Sequence, residues 1–183
     1  MSNPTSVTAR IALTVTQPAR LVFSVAVAQG TPTDRETLSI TVDGTEVPAT
    51  EVSSIAGTRL HVVDAPTGRL ELAYAADVTG SAPTPAVTDA EAIEYTRPSR
   101  YCESDRFNVL APTQFAGLAG QELVTAVGAW VNGHMRYIPG FSGSTDSAID
   151  TLLAGQGVCR DFAHLTVAML RACGVPARLM AAY

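Results

Sequence analysis

From Val7 to Asp77 apolar and polar residues alternate in short runs, VTARIALTVT, ARLVFSVAVA, ETLSITV, TEVPATEV, TRLHVVD and GRLELAYAAD, and beyond Asp77 that rhythm stops. A period of two marks strands with one face buried and the other in water. Pro18, Gly30, Pro32, Gly57, Pro66 and Gly68 break the runs at strand-like intervals. Asp43-Gly44, between two of them, tolerates the positive φ values of a tight type I′ hairpin. Residues 1–80 are therefore expected to form a small antiparallel β-sandwich domain. His61 lies between Leu60 and Val62, so alternation predicts an exposed strand histidine rather than a ligand.

The next stretch, VTGSAPTPAVTDAEAIEY, is rich in Pro, Gly, Ser and Thr, and the expectation for residues 81–95 is an interdomain linker. From residue 96 onward the pattern turns helical. Leu123, Val124, Val127, Trp130 and Val131 form one stripe, which Tyr137-Ile138-Pro139-Gly140 should end. A short helix over SAIDTLL should stop at Gly155 or Gly157. A third helix is expected from Val158 to Cys173, with Gly174 as its cap, Pro176 beyond it and ARLMAAY as a following strand. Strands first and helices afterwards make the chain α+β.

At 183 residues, with 46% hydrophobic and 16% charged content, two small cores can be filled. A net charge of -5 removes the basic footprint of a nucleic-acid binder and disfavours anionic membranes. Pro4 and Arg10 interrupt what a secretion signal would need, and no apolar run approaches the roughly 20 residues of a membrane span. A cytoplasmic protein is the expectation. Cys102, Cys159 and Cys173 are an odd number at spacings of neither a disulfide framework nor a zinc site, so reduced thiols are expected. No metal, no calcium loop and no cofactor is expected.

Which thiol reacts is then the chemical question. Cys159 follows Gly157 and opens the third helix, where unpaired N–H groups and the positive end of the macrodipole favour an anionic sulfur and an adjacent oxyanion. Gln156 is a candidate to add a side-chain amide to that oxyanion site. Asp161, in the first turn, is assigned a capping role ahead of a catalytic one. A small buried apolar residue is the competing reading of Cys159. Cys173, at the negative end of the same helix, is expected to be packing, and Cys102 falls in a charged loop. His164 is five residues on, about 140° around the helix from Cys159. His134 shares a face with Trp130 and Val131 and is expected to be packed against them. Core packing is the expectation for Trp130 and Tyr137, cleft lining the alternative.

GQGVCRDFAHLTVAMLRACGVPARLMAAY resembles the nucleophile helix of the bacterial transglutaminase-like superfamily, a group that includes proteins described as cysteine proteases. YTRPSRYCESDRF, WVNGHMRYIPG and STDSAIDTLLAGQG resemble the run leading into it, so the likeness covers Tyr95 to Tyr183. The resemblance implies that residues 96–183 are the front, helical half of a papain-like core and that Cys159 is the nucleophile of a Cys-His-Asp triad performing acyl transfer. The histidine and aspartate of such a triad lie on later strands, in HAW-like and DPT-like stretches that this sequence lacks. The chain is accordingly expected to be a truncated piece of a longer enzyme, with negligible turnover alone, whose apolar helix face is covered by a homo-oligomeric or strand-swapped contact. A peptide or protein substrate follows from the resemblance. A non-catalytic binding or scaffold module that keeps the fold is the alternative.

Overall fold

The computed structural model describes residues 5–53, 57–82 and 86–180, which divide into two compact units, Met1–Pro85 and Ala86–Tyr183. The first is built from seven strands: β1 (Thr5–Val15), β2 (Ala19–Phe23), β3 (Thr33–Val42), β4 (Thr45–Glu46), β5 (Thr50–Ser53), β6 (Arg59–Ala65) and β7 (Gly68–Val78). They form two antiparallel sheets, in orders β1-β7-β3-β4 and β2-β6-β5. Asp43 and Gly44 both have positive φ, 49° and 79°, and join β3 to β4 in the expected hairpin. TEVPATEV, expected as one strand, is two. Pro48 has no N–H to give a ladder, and around it the chain passes from the first sheet (β4) to the second (β5). Val15, Ile40, Leu70 and Leu72 from one sheet meet Phe23, Val63 and Ala65 from the other in a single cluster.

His61 corrects the expectation of exposure: it is buried, 6% exposed, on the inner face of β6 with Val63 and Ala65. Leu60-His61-Val62-Val63 is apolar at both parities, so alternation alone does not select the inward face. Its Nε2 lies 3.4 Å from Glu51 Oε2.

The second unit begins with α1 (Asp89–Glu94), which corrects the expectation of a linker over 81–95. Thr88 and Glu91 cap each other, Glu91 N donating to Thr88 Oγ1 at 3.2 Å and Thr88 N to Glu91 Oε2 at 3.0 Å. A 3-10 turn (Ser104–Phe107), α2 (Leu110–Gln114), α3 (Gly120–His134), β8 (Arg136–Tyr137), α4 (Ala148–Ala154), β9 (Gln156–Gly157) and α5 (Cys159–Ala172) follow. Phe107, Leu123, Val127, Val131, Leu165, Ala168 and Met169 pack into its core, with Trp130 at the margin. Gly155, at φ 63°, is the residue that stops α4. At the end of α5, Gly174 N donates to Arg171 O at 2.9 Å and Val175 N to Leu170 O at 3.0 Å, the paired bonds of a glycine-terminated helix. Residues 177–180 of the expected ARLMAAY strand make no ladder. Ala177 N instead bonds Tyr95 O at 3.0 Å, and residues 181–183 lie outside the described residues. No helix among the described residues is long and apolar enough to cross a membrane.

Candidate active site

Two short strands meet just before the start of α5. β8 and β9 pair in parallel, Tyr137 opposite Gly157, through bonds of 3.0 Å from Arg136 N to Gly155 O and 2.9 Å from Ile138 N to Gly157 O. Two residues after that ladder α5 begins at Cys159, whose side chain is exposed. The other two thiols differ. Burial pushes Cys102 up, more than the Arg171 charge and the Ser99 hydroxyl pull it back, and burial pushes Cys173 up as well. Neither is suited to react.

Asp161 holds the helix start together. It is fully buried, and its Oδ2 accepts from Val158 N at 2.7 Å. Its Oδ1 accepts from Arg160 Nη2 at 2.7 Å and Nε at 3.1 Å. Burial alone would raise this carboxyl. The Ser142 hydroxyl, the Val158 N–H and the Arg160 guanidinium outweigh burial and hold it below the ordinary range. Gly157 is required here, because a Cβ on it would come within 2.6 Å of the Asp161 carboxylate. The first helical bonds run from Asp161 N and Phe162 N to Val158 O, which leaves the N–H groups of Cys159 and Arg160 as the open donors of the first turn. Gln156 is half-buried in β9, directly before Gly157.

Arg160 also donates to Gly143 O at 2.6 Å and Ser142 Oγ at 3.3 Å, so the loop after β8 is strapped to α5. Reading the sequence did not single out this residue. A cation in the first turn of a helix opposes the dipole, and that mismatch is the available sign that it is paired.

The histidines stand apart from the thiol. His164 is buried and stacks on Tyr101, with centroids 5.5 Å apart and planes 4° from parallel. His134 is exposed, and it packs against Trp130 as expected. It lies flat on Trp130 at 3.9 Å with Nδ1 2.8 Å from Trp130 O, a placement suited to the last turn of a helix. No hydrogen bond joins either one to Cys159 among the described residues. Tyr137 corrects the expectation of core packing, being 58% exposed. Among the described residues no group of three or more His, Cys, Asp or Glu could hold a metal ion.

Burial lowers His164 first, the Arg160 charge lowers it further, and the Asp161 and Glu103 charges oppose both. A histidine lowered in the fold is protonated first in the unfolded chain. Its contribution to stability is therefore complete above the ordinary value of 6.5 and is lost as pH falls from there through the folded value. Urea unfolding midpoints are expected to drop between pH 7 and pH 5.5 in the parent chain. They should drop less in His164→Phe, which keeps the stacked ring and has no proton to take.

Residues 110–183 match the family model of the transglutaminase-like superfamily. An uncharacterised protein of Mycobacterium leprae (strain TN) is 41% identical over 63 residues, which are 34% of this chain and 23% of that protein. The crystal structure of a "putative cysteine protease" from Cytophaga hutchinsonii superposes with a TM-score of 0.80 at 28% identity, covering 96% of this chain and 66% of that one. The chain thus spans about a quarter of the first protein's length and just under two thirds of the second's. With its helix-opening thiol, its strapped loop and this match over residues 110–183, the helical half of the chain is similar to the transglutaminase-like superfamily.

Proposed function

We propose that this chain carries the nucleophile of a thiol-dependent acyl-transfer site acting on peptide or amide bonds. The observation that carries the reading is the contrast among the three thiols: Cys159 is exposed at the first residue of α5, and Cys102 and Cys173 are withdrawn. In the reaction the Cys159 sulfur attacks the carbonyl carbon, and the oxygen takes up the negative charge. The open N–H groups of the first turn, aided by the Gln156 amide, hold that charge. The carbon–nitrogen bond breaks, the amine leaves with a proton, and water or a second amine resolves the thioester. A base must move those protons. Neither His134 nor His164 is bonded to Cys159, so the proposal assigns that role to no described residue.

The same lack of a bonded base favours a second reading, a binding or scaffold module that keeps the fold without the chemistry. Iodoacetamide alkylation at Cys159, followed by mass spectrometry against pH, separates the two. An ordinary thiol loses about eightfold in rate between pH 8 and pH 7. Under the catalytic reading the rate at Cys159 is expected to fall by less than about half over that interval. A thiol inert until high pH supports the scaffold.

A further inference from the structure

We infer that the exposed side chains of Tyr137, Ile138 and Phe141 form an apolar shelf beside Cys159 that receives an aromatic or bulky aliphatic side chain of a peptide acyl donor. The inference rests on the nucleophilic reading of Cys159 and adds the substrate class to it. Two independent contacts put the shelf at the thiol's end of α5. On one side, Ile138 N bonds Gly157 O at 2.9 Å, with Gly157 two residues before Cys159. On the other, the Tyr137 ring lies 6.3 Å from that of Phe162, which is three residues after Cys159 and so on the same side of the helix. The shelf therefore flanks the first turn.

Its shape is set by its own chain. Ile138-Pro139-Gly140-Phe141 is a tight turn, closed by Phe141 N to Ile138 O at 3.3 Å, with Gly140 at φ 72°. Proline second and a positive-φ glycine third are what a type II turn requires, and the turn brings Ile138 and Phe141 close together. Just beyond, Ser142 and Gly143 are clasped by Arg160. A segment pinned at both ends nevertheless leaves Tyr137 58%, Phe141 45% and Ile138 39% exposed. Single exposed apolar residues are ordinary, but three within one pinned pentapeptide make a patch next to a candidate site.

Charge narrows the occupant. The Arg160 guanidinium, the cation that clasps the far end of the segment, is already engaged by Asp161, Ser142 and Gly143. The three side chains of the shelf are themselves two hydrocarbon surfaces and a phenol, with no charge among them to select an ionic side chain.

The test uses the full chain and two alkylating agents in competition, N-phenethyl iodoacetamide and N-(2-hydroxyethyl) iodoacetamide. In both, the sulfur forms a bond to the methylene carbon as iodide departs with the bonding pair, and buffer takes the thiol proton. Adducts on Cys159 are counted by mass spectrometry, and their ratio is compared with that on glutathione. Partial burial of a phenyl ring is expected to raise the phenethyl share about fivefold over glutathione. Tyr137→Ser with Phe141→Ser should return it to the glutathione ratio, Phe141→Ser alone should lower it, and Val109→Ser, an exposed apolar site on another element, should leave it raised. A parent ratio equal to that of glutathione overturns the shelf and spares the nucleophile. A ratio that stays raised in the double variant overturns the assignment to these residues, and a Cys159 that neither reagent labels overturns both readings.

Discussion

Replacing Cys159 by alanine is expected to abolish the burst of p-nitrophenolate that the chain releases from p-nitrophenyl acetate, a drop of about 10^3-fold or more in acylation rate, as loss of a nucleophile entails. An activated ester suits the question because its leaving group departs without protonation, so the step asks only for the sulfur and the oxyanion donors. The fold should not notice. Cys159 is exposed, and surface substitutions away from caps and cores stay within about 0.5 kcal/mol. Cys159→Ser is expected to be nearly as inactive, because a hydroxyl at this position is far less ionised than a thiol. A burst that survives in either variant would move the chemistry to another residue and remove the basis for the proposed function.

Much of this site was legible before any coordinates, and for identifiable reasons. Cys159 at a helix start was announced by Gly157 before it and by an uninterrupted apolar pattern ending at Gly174. Asp43-Gly44 gave its hairpin because few residue pairs accept two positive φ values. Signals were also present and passed over. Thr88-Asp-Ala-Glu91 is a capping box, and the surrounding Pro and Ser content hid it behind the look of a linker. Other features left no local trace. β8 and β9 are two residues each, too short for any period to show, and they are paired by the close approach of residues twenty positions apart. The inward turn of His61 is decided by Val63 and Ala65 meeting the opposite sheet, a tertiary fact that overrides the local pattern. Exposure of Tyr137 follows from the same cause, since a two-residue ladder carries its side chain away from the core that the α3 stripe alone would have claimed.

Asp161→Ala is expected to destabilise the helical unit by about 2–3 kcal/mol. The change removes a fully buried carboxylate with its contacts and leaves the half-buried Val158 N–H without its acceptor. The estimate stays below that for a wholly buried ion pair. Arg160 is partly exposed, at 32%, and keeps Gly143 O. Asp161→Asn should cost less, because an amide oxygen can still accept from Val158, and the gap between the two variants isolates the charge. The loss reaches the site as well as the fold. Arg160 is aligned toward Ser142 and Gly143 by the carboxylate it shares, so removing Asp161 should loosen the turn that presents Phe141 and Ile138 while Cys159 itself stays in the chain. Urea unfolding reads the first effect, and hydrogen exchange at the amides of Ile138 and Phe141 reads the second. Those two amides should exchange faster in Asp161→Ala under conditions where the core of α5 is still protected. Unchanged exchange there, with stability lost, would mean that the β8–β9 ladder holds the turn without help from the strap.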